Sequence, residues 1–344
     1  SILYFGIKGG IERVAKTAMP LLLILGVILT IRVLTLEWGS TKFDWSVKDG
    51  LGFMWNPDFS QLKNVKIWLA ATGQIFFTLS VAFAIMIAYS SYLPKKSDII
   101  NNAFMTGLLN SGFSMLAGIT VFSIIGFMMY QAGGELPAKM AGVFLAFVTL
   151  PEAVNQLPAL NVLVGVLFFL SLTFAGLSSE ISINEAIVSG LMDKLNKPRK
   201  AIVAWFTLIA GIISIIFTTG AGLYILDIVD HFINNFGIVF AGLVELILVG
   251  WFFNLNSIRD HSNSISDFQV GNWWNAAIKY ITPIVLGIAA IQNLIGDIAA
   301  PYEGYPLNAL IALGWAVAIG VVVVGFILAA VKWNNEEVLQ EGED

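Results

Sequence analysis

Long apolar runs, broken by short charged or Pro/Gly-containing pieces, repeat along the whole chain. The pattern predicts eight membrane helices, over 15–37, 66–92, 100–130, 161–193, 198–220, 225–252, 274–298 and 306–332. Each is close to or longer than the ~20 apolar residues that cross bilayer hydrocarbon. The connections 38–65 and 131–160 hold turn residues and short amphipathic pieces such as "ELPAKMAGVFLAF". They are too interrupted to span.

One of these runs, "WLAATGQIFFTLSVAFAIMIAYSSY" from Trp68 to Tyr92, carries Gln74, Thr78 and Ser80 near its middle. Hydrocarbon offers such groups no partner, and an unpaired one costs several kcal/mol there. Gln74 and Thr78 are four apart and share a helix face. Hydroxyls beside a β-branched residue give the backbone other partners, and an unwound centre would free carbonyls to hold a cation or an amine. Asn110 and Ser114 in "TGLLNSGFSMLAG" form a second i, i+4 stripe, and Ala175, Ser178 and Ser179 in "FAGLSSEISINEA" a third. A single Ser or Thr in a membrane helix most often bonds its own i−4 carbonyl or glues two helices. Three stripes together favour a polar cavity lined by neutral oxygens, which suits a hard cation such as sodium better than a transition metal.

Composition narrows the class. The chain of 344 residues is 57% hydrophobic and 12% charged, with a mean hydropathy of +0.82. A soluble domain carries about 25% charged residues, so this is a polytopic membrane protein in contact with lipid. No basic patch with interleaved aromatics suggests nucleic acid. There is no cysteine, which excludes disulfides and thiolate chemistry. The net charge of −5 comes largely from the tail "EEVLQEGED". Lys8, Arg13, Lys16, Lys95, Lys96, Lys194, Lys197, Arg199, Lys200, Arg259, Lys279 and Lys332 fall on one side of the predicted topology. That side is expected to be cytoplasmic, with both ends of the chain there. Lys42, Lys48, Lys63 and Lys66 make one outer loop an exception.

Three acids lie inside predicted helices, Glu180, Glu185 and Glu245. An intramembrane acid is a functional candidate by default, against a plain helix-packing role. Glu180 follows the Ser178–Ser179 pair and could neutralise a cation or a substrate amine. The only histidines, His231 and His261, read as loop-edge residues outside any HExxH spacing, and neither a G-x-S-x-G elbow nor a P-loop is present. No enzyme is indicated.

"GIKGGIERVAKTAMP", "WLAATGQIFFTLS", "LLNSGFSMLAG", "FAGLSSEIS" and "WNAAIKYITPIVLG" resemble the neurotransmitter:sodium symporters, a family that includes the bacterial leucine transporter. The resemblance implies an all-α, leucine transporter-type inverted-repeat fold. It runs from the family's fifth helix to its twelfth. The chain starts "SILYFG" with no initiator Met, and so reads as part of a longer protein lacking family helices one to four. On that reading 1–14 is a cytoplasmic loop, 15–37 the fifth helix and 38–65 an extracellular loop. The span 66–252 is the second inverted repeat, broken near 78–83 and carrying the extracellular loop 131–160; 253–332 supplies two C-terminal helices, and 333–344 an acidic cytoplasmic tail.

The resemblance also implies roles. Thr78 and Asn110 would ligate a first sodium, and the Ala175 carbonyl with the Ser178 and Ser179 hydroxyls a second. Phe77 would be an aromatic lid, with Ser80, Phe83, Ser179, Glu180 and Ile183 along the substrate pocket. Ser114 stands where chloride-independent relatives carry a carboxylate, so Gln74, Thr78, Asn110 and Ser114 would cradle a chloride. Asp230 would sit at an outer gate, and Asp193 with Tyr92 at an inner one. Solvated helix-end acids beside loop Lys or Arg are the plainer reading of Asp193 and Asp230. The expected activity is sodium-coupled symport of an amino acid or related small amine across the cell membrane by alternating access, without an organic cofactor. The alternatives are a non-transporting membrane fragment and an ion channel.

Overall fold

The structure is a computed structural model that describes residues 2–6, 10–36, 46–131, 142–155, 157 and 159–332. Lys8, Lys42, the first half of "ELPAKMAGVFLAF" and the acidic tail lie outside the described residues. The described residues are helices joined by turns: α1 (Glu12–Leu34), α2 (Val47–Trp55), α3 (Val65–Thr78), α4 (Ile85–Ser91), α5 (Ile99–Gln131) and α6 (Gly142–Asn155). They continue as α7 (Asn161–Leu195), α8 (Arg199–Thr218), α9 (Gly222–Phe252), α10 (Leu255–Ile265), α11 (272–299) and α12 (Leu307–Ala330). Seven of them, α1, α5, α7, α8, α9, α11 and α12, are long and apolar enough to cross a membrane. The chain is a multi-pass membrane protein. The eighth predicted span, 66–92, is two shorter helices, α3 and α4, rather than one.

The chain divides into two compact units, Ser1–Ser60 with Leu108–Ser182, and Gln61–Gly107 with Ile183–Asp344. In the first, a core of Leu29, Val33, Val47, Phe127, Leu150 and Val154 gathers α1, α2, α5 and α6. Small residues let backbones touch here: a Cβ on Gly50 would stand 2.1 Å from the Phe122 carbonyl oxygen and 2.9 Å from Gly126 Cα. Small residues at such crossings are how membrane helices gain van der Waals contact without a hydrophobic driving force. Thr30 and Thr120 share a hydrogen bond of 2.6 Å, and Arg32 donates to the Ala159 carbonyl at 2.9 Å.

The second unit is knit by α9 and α12. Phe232 is almost fully buried, edge-on to Trp315 at 4.9 Å, and sits so close to Gly314 that any side chain there would collide with its ring. Among its described residues this unit has π-helical turns at 233–238 and 248–252 within α9, 277–281 within α11 and 310–315 within α12. Such one-turn bulges re-aim side chains and recur at functional sites.

Candidate functional site

The break between α3 and α4 is built from backbone conformation. Three non-glycine residues in succession along alternate positions, Ser80, Ala82 and Ala84, have φ of 52°, 66° and 58°. An L-residue in that region crowds its Cβ against the carbonyl, at a cost of order 1–3 kcal/mol each. The ladder tightens and then loosens there: the Ser80 amide donates to the Phe77 carbonyl at 2.9 Å and the Val81 amide to the Phe76 carbonyl at 3.1 Å. Neither is the i−4 bond of a regular turn. The strain is held by packing. A Cβ on Gly242 of α9 would lie 2.7 Å from Phe76 Cζ and 3.1 Å from Ala82 Cβ, so only glycine lets α9 approach the break this closely.

Gln74, Phe77 and Thr78 are the last turn of α3, and Thr78 is its final helical residue. Phe77 is half exposed and meets Phe83 edge-on at 6.3 Å. Gln74 and Phe77 line a cavity of about 640 Å³ shared with α9 and α11, on whose far wall stand Asp230, His231, Asn235, Asn293 and Asp297. Asp230 accepts from Asn234 Nδ2 at 2.8 Å. A neighbouring cavity of about 320 Å³ holds Glu245 among Phe76, Val81 and Gly242. The end of α3 therefore borders two cavities, one polar on one wall and one mostly apolar, with Thr72, Thr282 and Glu245 as its polar lining.

In the first unit, α7 runs unbroken through the third polar stripe. Ser178 Oγ donates to the Ala175 carbonyl at 2.8 Å, and Ser182 Oγ to the Ser178 carbonyl at 3.0 Å. The two oxygens expected to share a sodium are thus already adjacent, joined by a hydroxyl hydrogen that a cation would displace. Ser179 and Glu180 are exposed on the same helix, and Asn110 and Ser114 stand on α5, Ser114 exposed. Ile183 and Asp193 are exposed on the part of α7 that belongs to the second unit.

The Tyr92 hydroxyl donates to Glu185 Oε1 at 2.8 Å, and Arg199 at the start of α8 grips both oxygens of the same carboxylate, with Nη1 at 2.8 Å from Oε1. Glu185 is fully buried. A buried carboxylate in a bidentate guanidinium fork is charge-neutral and geometrically fixed. Arg199 had counted in the sequence only as a topology-setting charge, and no spacing rule ties it to Glu185. His231 is not at a loop edge either: α9 begins at Gly222, which places the ring inside the helix and on the cavity wall.

The sequence profile of the Sodium:neurotransmitter symporter family matches residues 1–336. The chain belongs to that family. It is 43% identical over 305 residues to an uncharacterized sodium-dependent transporter of Methanocaldococcus jannaschii, covering 88% of this chain and 60% of that protein. It is 31% identical to the sodium- and chloride-dependent neutral and basic amino acid transporter B(0+) of Homo sapiens, over 96% of this chain and 52% of that one. The sodium-dependent dopamine transporter of Caenorhabditis elegans is 30% identical over 88% of this chain and 49% of its own length. The chain spans about half to three-fifths of the length of these relatives.

Proposed function

We propose that the chain is the ion- and substrate-handling portion of a sodium-coupled symporter for an amino acid or a related small amine. The break at 79–84 carries the reading: a segment inside an apolar run with three left-handed residues, held by close packing beside cavities, has the form of a binding element rather than of a plain span. Relatives named as sodium-dependent transporters support the ion, and those named for amino acids and dopamine support the substrate class. Thr78 and Ser178 are sodium ligands in this account, the latter with the Ala175 carbonyl and Ser179. Phe77, Ser80, Phe83, Glu180 and Ile183 line the substrate path, and Asn110, Ser114 and Gln74 serve sodium and chloride; these assignments rest on the family resemblance.

Transport follows alternating access in the plasma membrane, with both ends of the chain cytoplasmic. Asp230 acts at the outer gate, and Tyr92 and Asp193 act at the inner one. Each net positive charge carried inward gains about 2.3 kcal/mol per 100 mV, enough to drive uptake. The test is uptake of pooled labelled amino acids into proteoliposomes, using the full reading frame that encodes the chain. Sodium-gradient-driven, saturable uptake supports the proposal. A folded protein without sodium-dependent uptake would point to the non-transporting alternative, and flux that fails to saturate would point to a channel. Replacing chloride with gluconate then asks whether the second ion is needed; unchanged uptake removes chloride from the account.

A further inference from the structure

The last turn of α9 and the first turns of α11 meet in a corner that Pro283 helps to build. Pro283 has no N–H, so the Lys279 carbonyl four residues before it lacks the donor of a regular α-helical turn. Trp251 of α9 supplies one: its indole Nε1–H donates to that carbonyl at 3.3 Å. Both partners stand in π-helical turns, 248–252 and 277–281. Gly250 lets these turns close up, because a Cβ there would already lie 3.4 Å from Lys279 Cγ and 3.5 Å from Lys279 Cα. The Lys279 stem thus passes beside Gly250, and its ammonium sits over the Trp251 ring, 5.6 Å from the centroid. Tyr280 meets the same indole edge-on at 5.6 Å.

We propose that this corner, Trp251–Lys279–Tyr280, binds the headgroup phosphate of an anionic phospholipid. The Lys279 ammonium donates to the phosphate, and the two rings bracket the headgroup where hydrocarbon gives way to water.

Charge complementarity selects the occupant. Among the described residues no carboxylate pairs with Lys279, and Asp260, the acid of the connecting helix α10, is taken by Arg259 at 2.9 Å. A lysine near the start of a membrane-length helix needs an anion or water for its charge, and a ring face meets only part of that need. The setting is interfacial. Trp251 and Tyr280 are each about half exposed, and such residues collect where the apolar core of a bilayer meets its headgroups. Leu248 on α9 and Ile281 and Ile284 on α11 are exposed along the same helices, an apolar bed for acyl chains that a free phosphate could not use. The corner is also fixed in advance. The indole N–H is committed to a carbonyl and the lysine stem lies against Gly250, so little side-chain freedom is lost on binding. It lies within one unit and is independent of the transport reading.

The test counts bound lipid. The full reading frame is purified in detergent, titrated with phosphatidylglycerol or with phosphatidylcholine of the same acyl chains, and read by native mass spectrometry. The unmodified protein should hold phosphatidylglycerol more tightly than phosphatidylcholine. Lys279→Gln should weaken phosphatidylglycerol binding about fivefold, the attraction of one lysine at an anionic surface. Lys279→Arg should keep most of the binding. Lys96→Gln, which removes an exposed lysine from the turn before α5, should leave it unchanged. Equal affinity for the two lipids, unaltered binding in Lys279→Gln, or the same loss in Lys96→Gln would overturn the proposal. If Lys279→Gln does not fold, Trp251→Phe decides in its place: weaker phosphatidylglycerol binding is expected, and unchanged binding overturns the corner.

Discussion

Two apolar stretches of the chain carry hydroxyls, and their helices respond in opposite ways. On α7, Ser171, Thr173, Ser178 and Ser182 each donate to a carbonyl three or four residues earlier, and the helix continues without interruption. Between α3 and α4, Ser80 lies in a left-handed turn and the helix stops. A hydroxyl therefore does not break a membrane helix, because back-bonding satisfies it at almost no cost. What distinguishes 79–84 is the company of α9, whose Gly242 admits Phe76 and Ala82 to contact distance and stabilises a backbone that would otherwise be too strained. A broken helix is a tertiary product, and a polar stripe on an intact one is a local product.

That contrast can be attacked at several strengths. The largest effect is expected on α7, where Glu185→Ala leaves Arg199 half-buried without its carboxylate; about 3–5 kcal/mol of stability should be lost, read as a drop in Tm by fluorescence-detected size exclusion. Tyr92→Phe should cost far less, since the guanidinium fork remains. Gly242→Val should come next, at about 1–3 kcal/mol or more, because the added methyls meet a buried ring and Ala82; an unchanged Tm would show that the break does not depend on α9. In the opposite direction, Ala82→Gly removes a Cβ from a left-handed residue and should stabilise by up to about 1 kcal/mol, net of glycine's entropy. The same change on an intact helix destabilises by a similar amount.

The smallest effect concerns a loop. Asp98 accepts backbone N–H bonds from Asp267 and Asn101 and a bond from Ser266, which together hold its carboxyl below the ordinary aspartate range. A depressed folded pKa means that this tether contributes fully above the unfolded value and is lost as pH falls through the folded one. Hydrogen exchange at 98–101 and 266–267 should rise only in acid, and Asp98→Asn should raise it at neutral pH as well.

The membrane helices were legible because apolar runs of this length admit few other readings, and the family was legible because each of its motifs is a short contiguous run and they recur in order along the chain. Gln74, Thr78 and Ser80 drew attention to the middle of one segment, but Ala82 and Ala84 gave no signal, since their left-handed conformation is imposed by α9. The pairs Glu185–Arg199 and His231–Asp297 were illegible for a related reason. Their partners lie 14 and 66 residues apart on different helices, and no periodicity links them. The roles of Asn110, Ser114, Ser179 and Glu180 came from resemblance, not spacing.

The central claim is that oxygens on an intact helix and at a broken one serve coupling ions. It is tested most directly by equilibrium binding of radioactive sodium to the purified full reading frame, which requires no knowledge of the substrate. Saturable binding is predicted, weakened about tenfold or more in Ser178→Ala and in Thr78→Val, with stability lowered by no more than the about 1 kcal/mol that a single hydrogen bond is worth. Equal sodium binding by these variants, or no saturable binding by a folded protein, would contradict the account.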